Sequence, residues 1–229
     1  MARTLSRRTP FPPMPLSWTT LSLLGDSRLL LPTAAVLVGI GACQQCRWAV
    51  RWAMALSVLG LVVLASKLAF LGWGIGVPAL DFTGFSGHAA LSAAVWPVVG
   101  HLLGRGGAAR RWAVAAGVAL AAAIGVSRLP LNAHSWSEVT GGWLIGACAA
   151  ACALASPAVP RLRARWVALA IAAGGGVLLS LPEVRTHQGV VALAKALSGS
   201  KEAFDRRALH RRSTAPVCDG ADSGESCRK

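Results

Sequence analysis

Ser127 to Glu138 reads SRLPLNAHSWSE. It joins two apolar segments and holds an arginine, a histidine and a carboxylate within twelve residues. Charge beside a bilayer is costly unless it is paired or hydrated, so such a connection is a functional hypothesis by default. Its flanks decide the fold. Trp112–Ser127 precedes it and Ser137–Ala155 follows, both apolar. A hydrocarbon core about 30 Å thick asks for roughly 20 apolar residues, with about 17 tolerated. Four further runs meet that test: Leu29–Cys46, Trp52–Gly72, Gly87–Leu103 and Trp166–Leu181. The expected fold is all-α, a polytopic membrane helical bundle of about six transmembrane helices.

Composition points the same way. The chain has 229 residues, 54% hydrophobic and only 14% charged, with a mean hydropathy of +0.54, which excludes an ordinary soluble domain. Basic residues dominate, 23 Lys and Arg against 9 Asp and Glu. A pI near 11.3 suits a nucleic-acid partner, but the arginines lie in short loops between apolar runs and not on one soluble face. No nucleic acid is therefore expected, and the membrane is the partner. One end of the bundle receives Arg47 and Arg51, then Arg105, Arg110 and Arg111, then Arg161, Arg163 and Arg165, without an acid among them. By the positive-inside rule that end is cytoplasmic. The other end receives Lys67, Asp81, His88, Arg128, His134 and Glu138. This sorting uses only hydropathy and the parity of helix number. It places a multi-pass protein in the cytoplasmic (inner) membrane with its mixed polar cluster facing the periplasm or outside.

Three regions follow. Residues 1–27 are basic and proline-rich, lack a signal-peptide core, and include a short interfacial helix over Leu16–Leu24. Residues 28–182 form the membrane-embedded domain, and 183–229 a basic tail. The tail carries nine Lys or Arg on the cluster's side of the membrane, against the positive-inside rule, although long tails translocate largely regardless of charge. Its apolar run Val190–Leu197 and basic stretch Arg206–Arg212 read either as an amphipathic helix on an anionic surface or as a solvated extension. The last fifteen or so residues are read as solvated. The six cysteines form no metal pattern; Cys148 and Cys152 are expected to face a neighbouring helix, and Cys218 and Cys227 to pair if the tail is extracytoplasmic.

The polar cluster admits two readings at each point. His134 and Glu138 are four apart, so a helix starting near Ser135 brings the carboxylate to the imidazole, where it can hold one ring nitrogen and leave the other free. The same residues can simply cap the helix, with Ser135 or Ser137 as N-cap and Glu138 favoured by the dipole. Gly84 to His88, GFSGH, puts two glycines around a serine just before a helix, which is an anion site or an ordinary turn. Arg128 can fork two hydrogen bonds onto a phosphate and Lys67 can act as a point charge, or both can snorkel to the headgroups. Two cations, two histidines, a glycine turn and a buried acid on one face favour phosphate chemistry.

These fragments resemble the signature of the type 2 phosphatidic acid phosphatase superfamily, K-x6-RP, PSGH and SR-x5-H-x3-D. The third fragment runs Ser127, Arg128, His134, Glu138; the second Phe85, Ser86, Gly87, His88; the first begins at Lys67. Three positions depart: Gly74 and Ile75 replace the arginine–proline pair, Phe85 the proline, and Glu138 the aspartate. The resemblance implies His134 as nucleophile forming a phosphohistidine, Glu138 orienting it, and His88 as acid and then base. It implies Lys67, Ser86, the Gly87 amide and Arg128 as phosphate ligands, with no cofactor and no metal. The expected function is a metal-independent phosphatase acting on a lipid phosphate or diphosphate, of the undecaprenyl diphosphate, phosphatidic acid, phosphatidylglycerophosphate or lipid A type. A non-enzymatic anionic-lipid binding or transport protein, and a lipid phosphotransferase using the same site, are the alternatives. His101 is expected to be structural, Asp81 to orient its loop, and Pro97 to kink the third span.

Overall fold

The computed structural model of the chain describes residues 16–44, 47–155, 159–181, 186–200 and 202–214. The first fifteen residues and the proposed Cys218–Cys227 pair lie outside them. Nine α-helices occur in the described residues, and the only extended pairing among these is the isolated bridge Val77–Phe82. They are α1 (Leu16–Leu23), α2 (Ser27–Cys43), α3 (Arg47–Trp73), α4 (Gly87–Leu103), α5 (Gly107–Ser127), α6 (Trp136–Leu154), α7 (Ala164–Ser180), α8 (Thr186–Ser198) and α9 (Arg206–Thr214). The apolar runs read from the sequence become α2 to α7 with ends shifted by a few residues. The segment Leu16–Leu24, expected to be a short interfacial helix, is helical as α1.

Four helical runs, Trp18–Cys43, Arg47–Trp73, Gly107–Ser127 and Trp136–Leu154, are long and apolar enough to cross a bilayer. The apolar helices α4 and α7 are shorter at 17 residues, about 26 Å at a rise of about 1.5 Å per residue. The outer surface suits lipid: Leu61, Leu144 and Leu179 are 65%, 64% and 86% exposed. Exposed tryptophans stand near helix ends, Trp73 and Trp136 at one end of the bundle and Trp112 and Trp166 at the other, as in an interfacial belt.

Close packing without large side chains brings α5 and α6 against α4. A Cβ on Gly100 would lie 2.2 Å from the Ala113 carbonyl oxygen, and one on Gly117 2.4 Å from that of Trp96. On α6, a Cβ at Gly146 would lie 2.1 Å from the Ala90 oxygen. Small residues let membrane helices approach where apolar burial offers no drive of its own. The core on the other side is larger. Leu30, Leu37, Trp48, Trp52, Val98 and Val167 are fully or almost fully buried, and the Trp52 indole donates to the Ala94 carbonyl at 3.2 Å. Cys148 and Cys152 are exposed, against the expectation that they face a neighbouring helix.

The tail forms two further helices at the Trp73 end of α3. A Cβ on Gly72 would sit 3.3 Å from Ser198 Cβ and 3.4 Å from the Ala194 oxygen of α8, and the Phe204 amide donates to Leu71 at 2.9 Å. Leu209 of α9 is buried against Gly76. The described parts of the tail, residues 186–200 and 202–214, are therefore folded onto the bundle.

Candidate functional site

Three local structures converge at this end. The first is the start of α6, where Ser135 is the N-cap and forms a capping box with Glu138. The Ser135 amide donates to Glu138 Oε2 at 3.2 Å, and the same oxygen lies 2.7 Å from His134 Nδ1. The two readings of this pair thus coexist: one carboxylate caps the helix and holds the imidazole. Its other oxygen, Oε1, accepts the Thr83 amide at 2.8 Å and also the Thr83 hydroxyl. Glu138 is fully buried, so its charge is sustained by these donors.

The second is the GFSGH turn. Gly84 has φ +138°, and a Cβ there would meet the Lys67 backbone at 3.3 Å, so the loop can lie against α3 only with glycine at this position. Ser86 caps α4, fully buried, and its amide donates to the Glu138 carbonyl at 3.0 Å. The Phe85 amide donates to Ser66 Oγ at 3.2 Å. Phe85, standing where the resembled motif has proline, packs edge-on to Phe82 with ring centres 5.1 Å apart. Lys67 of α3 and His88 of α4 are therefore held on either side of a turn pinned to α6 and α3.

The third is the end of α5. Arg128 caps that helix and donates through Nη1 to Ser22 of α1, while its Nε is buried without a partner among the described residues. His134, Lys67, Arg128 and His88 all lie within electrostatic reach of one another. Burial pulls the His134 imidazole below its ordinary value, against the opposing pull of its Glu138 hydrogen bond and with help from Lys67. The ring is then neutral at pH 7. With Nδ1–H donated to the carboxylate, the Nε2 lone pair is available. A neutral imidazole so held, beside two cations and a second histidine, can attack an electrophile that carries negative charge.

All seven residues expected at the site are gathered here. Gly74 and Ile75 add no cation. Gly74 terminates α3 at φ 69°, with its amide bonded to Phe70 and the Ile75 amide to Ala69, and Ile75 is 66% exposed. Asp81, expected to orient its loop, sits at φ 48° after a 3-10 turn over Pro78–Leu80.

Sequence reading missed four residues: Ser22, Asp26, Thr83 and Arg206. Asp26 caps α2, binds its own Arg28 at 2.8 Å, and bears electrostatically on His88 and Arg128. Arg206 comes from α9, with Nη2 2.9 Å from each Glu138 oxygen and Nη1 paired to the Asp81 carboxylate. The one signal for it was indirect: a motif lacking its arginine, and a basic tail emerging at the same end. His101 lies at the far end of α4, beside a cavity of about 710 Å³ that Arg110 and Arg111 also line.

Residues 76–161 match a family model described as the PAP2 superfamily. The matched segment holds Ser86, Gly87, His88, Arg128, His134 and Glu138 and begins after Lys67. An uncharacterized 22.5 kDa protein in the cps region of Klebsiella pneumoniae is 38% identical over 214 residues, covering 86% of this chain and 99% of that protein. No solved structure matches the chain.

Proposed function

The chain belongs to the PAP2 superfamily and has a phosphatase-type function, and on that premise we propose that it hydrolyses a lipid phosphate or diphosphate through a phosphohistidine on His134. The observation that carries the reading is the 2.7 Å contact between His134 Nδ1 and the buried Glu138 carboxylate, with Lys67, His88 and Arg128 around it. A lipid substrate is supported by the position of the cluster, at one end of helices whose outer faces are apolar.

The steps follow from these groups. Lys67, Arg128, Ser86 and the Gly87 amide bind the phosphoryl oxygens and the charge that builds on them. His134 Nε2 attacks phosphorus as the bond to the leaving oxygen breaks, and His88 gives that oxygen its proton. Glu138 keeps the attacking ring in one tautomer and offsets its developing positive charge. Water then attacks the phosphohistidine, gives a proton to His88, and breaks the N–P bond to release phosphate. The chemistry reads phosphate and not tail, so undecaprenyl diphosphate, phosphatidic acid, phosphatidylglycerophosphate and lipid A phosphates all remain candidate substrates. The arginine-rich loops at the opposite end of the bundle support a place in the cytoplasmic membrane with the site facing outward.

The test is phosphate release by detergent-purified protein from a panel of these lipids, with EDTA present, for wild type and His134→Ala. Release that survives EDTA and vanishes in the variant supports the reading, and the fastest lipid identifies the substrate class. No turnover of any lipid, with equal lipid-phosphate binding by both proteins, overturns hydrolysis in favour of binding. Transfer of the phosphoryl group to a second lipid, in place of release, would make the protein a phosphotransferase.

A further inference from the structure

We propose that Arg206, delivered by the C-terminal helix α9, is a positioning residue that locks the Glu138 carboxylate behind His134 and restrains the basicity of that imidazole. Its effect on turnover rests on the phosphatase reading; the coupling to His134 does not.

One guanidinium spans two carboxylates. Nη2 reaches both Glu138 oxygens at 2.9 Å and approaches the Thr83 hydroxyl at 3.4 Å, while Nη1 pairs with Asp81 and lies 3.4 Å from its carbonyl oxygen. With one nitrogen bonded to both Glu138 oxygens and the other anchored on Asp81, the charge-assisted contact holds the carboxylate in place. The contact is not a loose surface pair. Glu138 is fully buried, and α9 is docked by Leu209 and by a 2.9 Å contact between His210 Nε2 and Asp81.

Glutamate needs such a lock more than aspartate does, because its extra methylene adds a torsion between backbone and carboxylate. Thr83 holds one oxygen, and the Ser135 amide with His134 holds the other. Among the described residues, Arg206 alone bridges both. It also sets the charge balance. Glu138 brings a negative charge to Nδ1 of the imidazole, and Arg206, itself anchored on Asp81, offsets that charge. Lys67, Arg128 and His88 act on the ring as well, and they stay in place when Arg206 is changed.

Removing the guanidinium charge should therefore do two things. The carboxylate gains freedom, so fewer imidazoles are aligned, and the uncompensated charge makes His134 bind its proton more tightly. The test uses full-length protein in detergent with isotope-labelled histidine. The His134 resonance is assigned by its loss in His134→Gln and titrated by NMR in wild type, Arg206→Ala, Arg206→Gln and Arg206→Lys. Arg206→Gln keeps the first methylenes of the stem and loses the guanidinium with its charge, so it carries the test if the alanine variant folds poorly. The expected result is an upward shift of the His134 midpoint by about one unit in the uncharged variants and a smaller shift in Arg206→Lys. Lipid phosphate turnover should fall roughly tenfold to a hundredfold in kcat, the range seen when a partner that orients a working side chain is removed, with KM little changed. A His134 titration unmoved in both uncharged variants overturns the proposal, even if their stability falls. If the titration shifts but even wild type releases no phosphate, the coupling stands and the phosphatase reading is what fails.

Discussion

Replacing Glu138 by glutamine keeps the size of the side chain and removes its charge, and the structure lets the consequence be worked out donor by donor. Oε2 receives the Ser135 amide and faces His134 Nδ1, Oε1 receives the Thr83 amide and hydroxyl, and Arg206 forks onto both. Both oxygens are thus surrounded by donors, and an amide must turn its NH2 toward one set. Turned to Oε1, it meets the Thr83 amide and the guanidinium, neither of which can accept, and only the Thr83 hydroxyl, by rotating, can take one of its protons. Turned to Oε2, it meets His134, which can adapt by moving its proton to Nε2. That tautomer uses up the lone pair required for attack. When the analogous carboxylate of a Ser-His-Asp triad becomes an amide, the wrong tautomer lowers kcat by about 10⁴-fold, or roughly 5 kcal/mol in the barrier. Here some molecules will keep the useful tautomer at the expense of Thr83, so the expected loss is roughly 10³-fold to 10⁴-fold in kcat.

The phosphate-binding groups are elsewhere, so KM should change by no more than about threefold. The assay is steady-state phosphate release, with burial of a mismatched amide also lowering thermal stability by roughly 1–3 kcal/mol. A kcat within about threefold of wild type would refute the reasoning, because it would mean that Glu138 is only a helix cap. Glu138→Asp is the informative companion: it keeps the charge and withdraws it from Arg206 by one methylene.

Four other outcomes are set by local geometry. Because burial holds His134 below its ordinary value, the acid limb of kcat/KM should fall below pH 6.5; a limb at or above that pH refutes the burial argument. The same shift fixes a sign for stability. Below pH 6.5 the unfolded chain binds this proton more readily than the folded one, so His134 contributes a loss of stability as pH falls toward its folded midpoint, read as a declining Tm. Gly74→Arg restores the residue of the resembled motif, and on sequence grounds should tighten phosphate binding. At φ 69°, however, a side chain there costs about 1 kcal/mol, so the expected result is a lower Tm, and an unchanged Tm would refute the strain argument. Gly142→Ala would put a Cβ 2.6 Å from the Ser86 oxygen and push the GFSGH turn off α6, so activity should fall at least tenfold with the helical content intact; an active variant would show that the turn can shift freely.

The bundle was legible because lipid-spanning helices need long apolar runs, and nothing else in the chain resembles them. The cluster was legible for a related reason. In a chain with so few acids, alternating the helices is enough to send Lys67, His88, Arg128, His134 and Glu138 to one end. Contacts between side chains were less accessible. Beyond its first turn, the buried residues of α6 are Gly142, Gly146, Ala149, Ala150 and Ala153. Cys148 and Cys152 each lie two residues beyond one of these, about 200° round the helix, and so point outward. Composition alone made small residues look like interface residues. Arg206 was hidden more deeply, since it meets Glu138 and Asp81 across 68 and 125 residues of chain, from a basic stretch that reads as an amphipathic surface helix or as a solvated extension.

That pairing also bears on the orientation of the protein, where the basic tail and the arginine loops make opposite demands. The positive-inside rule counts Lys and Arg in short loops, and it counts them as free charge near the headgroups. The loop arginines of the far end fit that description, as no acid lies among them in the sequence. Arg206 does not fit it, because its charge is taken up by a buried carboxylate and by Asp81. His210 is turned to the same aspartate. The part of the tail docked on the bundle therefore weighs less against translocation than its sequence suggests. The short loops keep their priority, and they support the proposed outward-facing site. Tagging the two ends of the bundle decides the matter: cysteines placed at Ala108 and at Ala79 should be labelled by a membrane-impermeant reagent only at Ala79 in intact cells of a cysteine-free variant. Labelling at Ala108 alone would reverse the orientation and place the phosphatase site in the cytoplasm.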